Sequence, residues 1–120
     1  MEGSMKTIIC DIDGTILFHY GTQQKQVTLE AKVLPGVLQK IHEWDKLGYN
    51  LVLISGRRES TRAVTEAQLQ KLGIIYDTLI LGVGRGQRVL INDLKPDSEN
   101  PTAVSINIKR NTGLIGLANI

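Results

Sequence analysis

The sequence predicts an α/β fold with a parallel sheet covered by helices, and three observations carry that reading. Short apolar runs close on polar residues at Thr7-Ile8-Ile9-Cys10-Asp11, at Leu51-Val52-Leu53-Ile54-Ser55 and at Val89-Leu90-Ile91-Asn92-Asp93. The runs are rich in β-branched residues and nearly free of polar groups, as strands buried on both faces are. Between them lie segments with apolar residues at helical spacing.

The first strand runs into Asp11-Ile12-Asp13-Gly14-Thr15, where Gly14 lets the chain turn away. Carboxylates at the carboxyl end of such a strand lie where open α/β sheets bind ligands. Residues i and i+2 share a face within a strand, a rule that weakens past its end, so both acids can bracket one ligand. Asp and Gly are also ordinary turn residues, so the segment alone supports only an anion or metal site. Residues 17–30 are polar, with Gly21 and a Gln-rich tip between Phe18-His19-Tyr20 and Val27-Thr28-Leu29, and read as a hairpin flap over the site. His19 there could touch a substrate, although a lone exposed histidine is ordinarily a surface residue.

Leu34-Pro35-Gly36 opens a helix in which Leu34, Val37, Leu38, Ile41 and Trp44 share a face, and Gly48 ends it. Trp44 reads as packing and His42 as surface. A second helix is expected over Arg57–Leu72, ending at Gly73, with Val64, Ala67 and Leu72 as its buried stripe and Arg57, Arg58 and Arg62 exposed at its start. Those arginines could bind a second acidic group of a substrate. Further strands are expected over 76–82 and 88–92. Ala103 to Ile108 alternates apolar and polar residues, as a half-buried strand does. The apolar tail from Leu114 to Ile120 should pack on its own domain or on another chain, and a homo-oligomer is expected from it.

With 120 residues the chain is read as one domain over 5–120; Met1-Glu2-Gly3-Ser4, ahead of a second methionine, looks like an expression remnant. A net charge of only +2, with no basic run and few aromatics, gives no sign of nucleic acid as the usual partner. No stretch resembles a membrane span or a signal peptide. Cys10 is the single cysteine, so neither a disulfide nor a cysteine-ligated zinc site can form within one chain, and a reducing cytoplasm is the default compartment.

Two acids, a hydroxyl and a further acid thus arrive in order at three strand ends. This ordered set resembles the haloacid dehalogenase-like superfamily of phosphotransferases over residues 6–97. The first motif of that family, Asp-x-Asp-Gly-Thr, matches Asp11 to Thr15; its second, an apolar strand closing on Ser or Thr, matches Ser55; its fourth, a strand closing on acids, matches Asp93. The resemblance implies a three-layer Rossmann-like sheet. The gaps from Thr15 to Ser55 and from Ser55 to Asp93 leave no room for a cap domain, so an open site is expected.

What the resemblance implies about chemistry is concrete. Asp11 is the nucleophile that forms an aspartyl-phosphate, and Asp13 is the general acid and then the base. An acid at the second position suits a poor alkoxide leaving group. Magnesium would offset the repulsion between the carboxylates and a dianionic phosphate, held by the Asp11 and Asp93 side chains and the Asp13 carbonyl. Ser55 would hold a phosphoryl oxygen through its hydroxyl, helped by the N–H groups of Gly56 and Arg57 at a helix start. An N-cap role for Ser55 is compatible with that.

The chain departs from the pattern in two places. Where the fourth motif usually has two acids, it has Asn92-Asp93, with Asp97 four residues on and Pro96 between. The third motif, a Lys or Arg beside the nucleophile, has three candidates. Arg85 and Lys95 compete on position, whereas Arg88 reads as a solvated surface charge at the far end of its strand. The leading expectation is a magnesium-dependent phosphomonoester hydrolase acting on a small phosphorylated metabolite such as a sugar phosphate. The alternatives are a polynucleotide 3′-phosphatase, and a non-catalytic module that keeps a phosphate or metal site.

Overall fold

A computed structural model describes residues 5–120; the four residues read as an expression remnant lie outside them. The elements are β1 (Thr7–Asp11), α1 (Gln23–Thr28), α2 (Val37–Lys46), β2 (Asn50–Ile54), a 3₁₀ turn (Glu59–Thr61), α3 (Arg62–Lys71) and β3 (Thr78–Ile80). The strands form a parallel sheet in the order β1-β2-β3, with Cys10 opposite Leu53 and Leu53 opposite Leu79. The expected α/β class, with a Rossmann-like parallel sheet and flanking helices, is what forms.

Parallel strands laid side by side through right-handed crossovers carry their connecting helices on one face. Burial follows that rule. Cys10, Leu53 and Leu79 share the core with Val37, Ile41 and Trp44 of α2 and Leu69 of α3. On the alternate residues of the sheet, Ile9 is 52% and Ile80 45% exposed. Helix α2 matches its expected start and stop closely: Gly36, at φ 77°, precedes it, its buried residues are Val37, Ile41 and Trp44, and Gly48 follows at φ 81°.

Four expectations need correction. The flap is no simple hairpin. Leu17 pairs antiparallel with Val33 at its base, but its tip is α1, opened by Thr22, whose hydroxyl accepts from the Lys25 N–H at 3.2 Å. The helix expected from Arg57 begins at Arg62, and its buried residues are Thr65 and Leu69 rather than Val64, Ala67 and Leu72. A hydrophobic stripe misplaces that face because its centre is polar: Thr65 is fully buried, accepting from the Arg57 guanidinium at 3.0 Å. Residues 89–92 form no strand, and Val89, Leu90 and Ile91 are exposed. Their β-propensity expresses packing against neighbours, and no strand among the described residues pairs with them. Ala103 to Ile108 is likewise not a strand, although Ile108 packs against the core.

The tail packs on its own domain. Leu114 is buried in the core, and Leu117 and Ile120 pack against it. The approach is close: a Cβ on Gly113, at φ +80°, would meet the Pro35 carbonyl oxygen at 2.3 Å. Just before it, Asn111 takes the left-handed conformation at φ 65°, which Asn tolerates better than most residues. From there its N–H donates to the Gly14 carbonyl at 2.8 Å, and its Oδ1 accepts from the His19 N–H at 2.8 Å. The C-terminal segment therefore braces the turn that carries the two acids.

Candidate active site

The first-motif turn is built around one carbonyl. Ile12, fully buried, has its oxygen within hydrogen-bond reach of the N–H groups of Thr15, Ile16 and Leu17, and Gly14 adopts φ 92° inside the turn. That geometry folds the chain back tightly and leaves the side chains on either side of Ile12 in different surroundings.

Asp11 ends β1 with its side chain 34% exposed. Its Oδ2 accepts from the Thr15 hydroxyl at 3.1 Å and its Oδ1 from Arg88 Nη1 at 2.9 Å. Asp13 is more enclosed and fully engaged. Arg57 binds it through two parallel bonds of 2.8 Å, Nε to Oδ2 and Nη2 to Oδ1, and Gln26 Nε2 adds a third to Oδ1 at 2.7 Å. Such a fork is the strong, geometrically specific form of an arginine–carboxylate pair.

Arg57 was expected to be exposed, with its main chain serving an anion. Instead its side chain is 1% exposed, since its donors are spent on Asp13, Thr65 and Gln68, the last at 2.6 Å. Its N–H donates to Ser55 Oγ at 3.0 Å. Ser55 is buried at the end of β2 and closes a local turn rather than capping α3, because three 3₁₀ residues stand between. The same bond leaves the Ser55 hydroxyl hydrogen available to an acceptor. Gly56 follows tightly: a Cβ there would meet the Val83 carbonyl at 3.1 Å, and its own carbonyl accepts from Gln23 of α1 at 3.0 Å.

The cation at Asp11 is Arg88, the candidate that sequence position had assigned to the surface. That assignment assumed a strand over 88–92 starting far from the site; with no strand there, Arg88 reaches Asp11 across 77 residues of sequence. Arg85 and Lys95 are exposed and take part in no ion pair among the described residues. Asp93 is exposed, and its carbonyl accepts from the Thr102 hydroxyl; Asn92 donates to the same hydroxyl at 2.6 Å. Asp97 is exposed with φ 62°.

This arrangement bears directly on a metal. Among the described residues no group of three or more His, Cys, Asp or Glu side chains could hold an ion. Asp11, Asp13 and Asp93 are not gathered into one donor set, and Arg88 supplies the positive charge at Asp11. The Asp11, Asp13 and Asp93 side chains as placed do not fit a magnesium ion as a three-carboxylate group. Beside Asp11, burial and the neighbouring carboxylate push the Cys10 thiol up to about 12, so it stays protonated at neutral pH.

Comparison with known proteins places the chain. The family model for the HAD superfamily, subfamily IIIB (acid phosphatase), matches residues 28–104. Two soybean (Glycine max) proteins, the stem 28 kDa and stem 31 kDa glycoproteins, are each 30% identical over 82% of this chain, which spans 41% and 36% of their lengths. Among solved structures, a chain of the Pnkp1/Rnl/Hen1 complex is 29% identical over 71% of this chain and 30% of its own, with a TM-score of 0.59. A Vibrio cholerae protein shares the fold at 20% identity and a TM-score of 0.55, over 74% of this chain and 80% of its own. No helix among the described residues is long and apolar enough to cross a membrane. By the family model matched over residues 28–104, more than half of its length, the chain belongs to the HAD superfamily, in subfamily IIIB (acid phosphatase).

Proposed function

We propose that the chain is a phosphomonoester hydrolase acting through an aspartyl-phosphate on Asp11. The observation that carries this reading is the division of labour between two carboxylates two residues apart. Asp11 is open to solvent and oriented by Thr15 and Arg88, whereas Asp13 is enclosed and clamped by Arg57 and Gln26. Two carboxyls so placed can divide the roles of nucleophile and proton shuttle between them. In the first step an Asp11 oxygen attacks phosphorus as the bond to the leaving oxygen breaks, and Asp13 protonates that oxygen. In the second, Asp13 takes a proton from water as the water oxygen attacks phosphorus, and the Asp11 carboxylate is released. Ser55 donates its hydroxyl to a phosphoryl oxygen, and Arg88 offsets charge between nucleophile and phosphate.

Magnesium enters the reading through family membership; in this arrangement it would require Asp93 to be brought to Asp11. A small phosphorylated metabolite such as a sugar phosphate is the substrate class we favour. The test is turnover of p-nitrophenyl phosphate and of a phosphomonoester panel, with and without magnesium. Asp11→Asn should abolish it, and activity surviving that change would remove Asp11 as nucleophile.

A second reading is a polynucleotide 3′-phosphatase. It is favoured by likeness to a chain of an RNA repair complex. A 3′-phosphorylated oligonucleotide hydrolysed far faster than any sugar phosphate would select it. A non-catalytic module is supported by Asn92 standing where the family pattern has an acid and by the absence, among the described residues, of a three-acid metal group, and would be selected by tight metabolite binding without turnover. Homo-oligomerisation is supported by the exposed Val89, Leu90, Ile91, Val104 and Ile106; a single-chain mass by light scattering at micromolar concentration would refute it.

A further inference from the structure

The enclosure of Asp13 forms a closed circuit of hydrogen bonds that joins four parts of the chain. Asp13 accepts from Arg57, which follows β2. Arg57 Nη1 donates to Gln68 Oε1 of α3 at 2.6 Å, and Gln68 Nε2 donates to the Gln26 carbonyl of α1 at 2.9 Å. Gln26 returns to Asp13 Oδ1 at 2.7 Å, closing the ring. Gln26 is a long polar side chain only 4% exposed, and every polar atom of its amide is engaged. Besides Asp13, its Nε2 donates to the Phe18 carbonyl at 3.0 Å, and its Oε1 accepts from the Tyr20 N–H. A buried glutamine satisfied this fully fixes whatever it touches.

We propose that Gln26 is the positioning residue for Asp13, and that α1, the helical tip of the flap, sets the placement of the acid/base carboxylate. The inference rests on the phosphatase reading above. Arg57 fixes the plane of the carboxylate through its fork. Gln26 adds a third hold, on Oδ1, that comes from α1 on the flap rather than from the segment after β2. The flap is held to the same region a second time, by Gln23 donating to the Gly56 carbonyl. During turnover Asp13 passes a proton to the leaving oxygen and recovers one from water. Both transfers depend on where its oxygens stand, and the ring fixes that place without touching substrate.

The test compares substrates by leaving group. Release of an alkoxide needs a proton from Asp13, whereas release of p-nitrophenolate does not, and kcat/KM reports events only through departure of the leaving group. Gln26→Glu keeps size and shape but puts an acceptor against Asp13; Gln26→Ala removes the contact. In both variants kcat/KM on an alkyl phosphate should fall at least about tenfold more than on p-nitrophenyl phosphate, with KM little changed and the glutamate variant the worse of the two. Gln68→Ala, which opens the ring on its other side, should show the same signature more weakly, and carries the test if circular dichroism shows that the Gln26 variants do not fold. Equal losses on both substrates would mean that Gln26 only supports the fold, and would overturn the assignment while leaving Asp11 and Asp13 in their roles. No turnover of either substrate by the unaltered chain would overturn the phosphatase reading and the positioning role with it.

Discussion

Replacing Arg57 by methionine tests the centre of the site without measuring catalysis. The guanidinium makes four hydrogen bonds, two to the Asp13 carboxylate and one each to Thr65 and Gln68, with its side chain 1% exposed. Methionine fills most of the volume but leaves an enclosed carboxylate without its cation. Removing one partner of a buried ion pair costs about 3–5 kcal/mol, and the lower end applies because the Asp13 side chain keeps 14% exposure. Stability should therefore fall by about 3 kcal/mol, a large part of the roughly 5–15 kcal/mol that holds such a domain together. Urea unfolding should show a lower midpoint at unchanged slope. Asp13→Asn should cost far less in the Arg57→Met background than in the native one, giving a coupling of about 2 kcal/mol, because the charge left stranded is then gone. A loss below about 1 kcal/mol for Arg57→Met, or additive effects in the cycle, would refute the claim that this pair anchors the site.

Other outcomes follow from single features. Gly113→Ala places a Cβ 2.3 Å from the Pro35 carbonyl oxygen at positive φ, whereas Gly73→Ala meets nothing within 4 Å. The first should cost well over 2 kcal/mol and the second only about 1, compared by thermal unfolding. Cys10 binds its proton more tightly folded than unfolded, so its contribution is complete below pH 9 and is lost as pH rises from the ordinary thiol value of 9.0 toward about 12. Alkaline unfolding should therefore steepen by up to about 1.4 kcal/mol per pH unit in that window, and Cys10→Ala should remove the extra slope. A thiol reagent at neutral pH should label native Cys10 far more slowly than the unfolded chain. Arg88→Ala should lower kcat on phosphomonoesters by about a hundredfold, the low end of what removing one charge-stabilising donor costs, while Arg85→Ala should not.

The parts of this protein that could be read in its sequence are those whose cause is local. The β1 and β2 strands declare themselves by unbroken apolar runs, and α2 by Gly36, its stripe and Gly48. What escaped has causes far along the chain. The pairing of Arg57 with Asp13 joins residues 44 apart, and no neighbour of either announces it. Thr65 reads as polar surface until a buried guanidinium is set against it. Val89-Leu90-Ile91 has every local mark of a strand and lacks only a partner, which sequence pattern cannot supply. One missed element was readable. Thr22, three residues before Lys25, stands where an N-cap belongs, and it marks the start of α1 within a stretch read as a hairpin.

The brace that Asn111 makes on Gly14 and His19 has a consequence for how the protein is made. The turn bearing both proposed catalytic carboxylates leaves the ribosome well before Asn111 does, and the bonds that lock it come from that residue, 92 positions after His19. Contacts of such long sequence separation form late, after the loop between them has been closed. A nascent chain can thus build its sheet and α2 while the acid-bearing turn is still unbraced. A stall before residue 111 should yield a species with native-like helix and strand content and no working site.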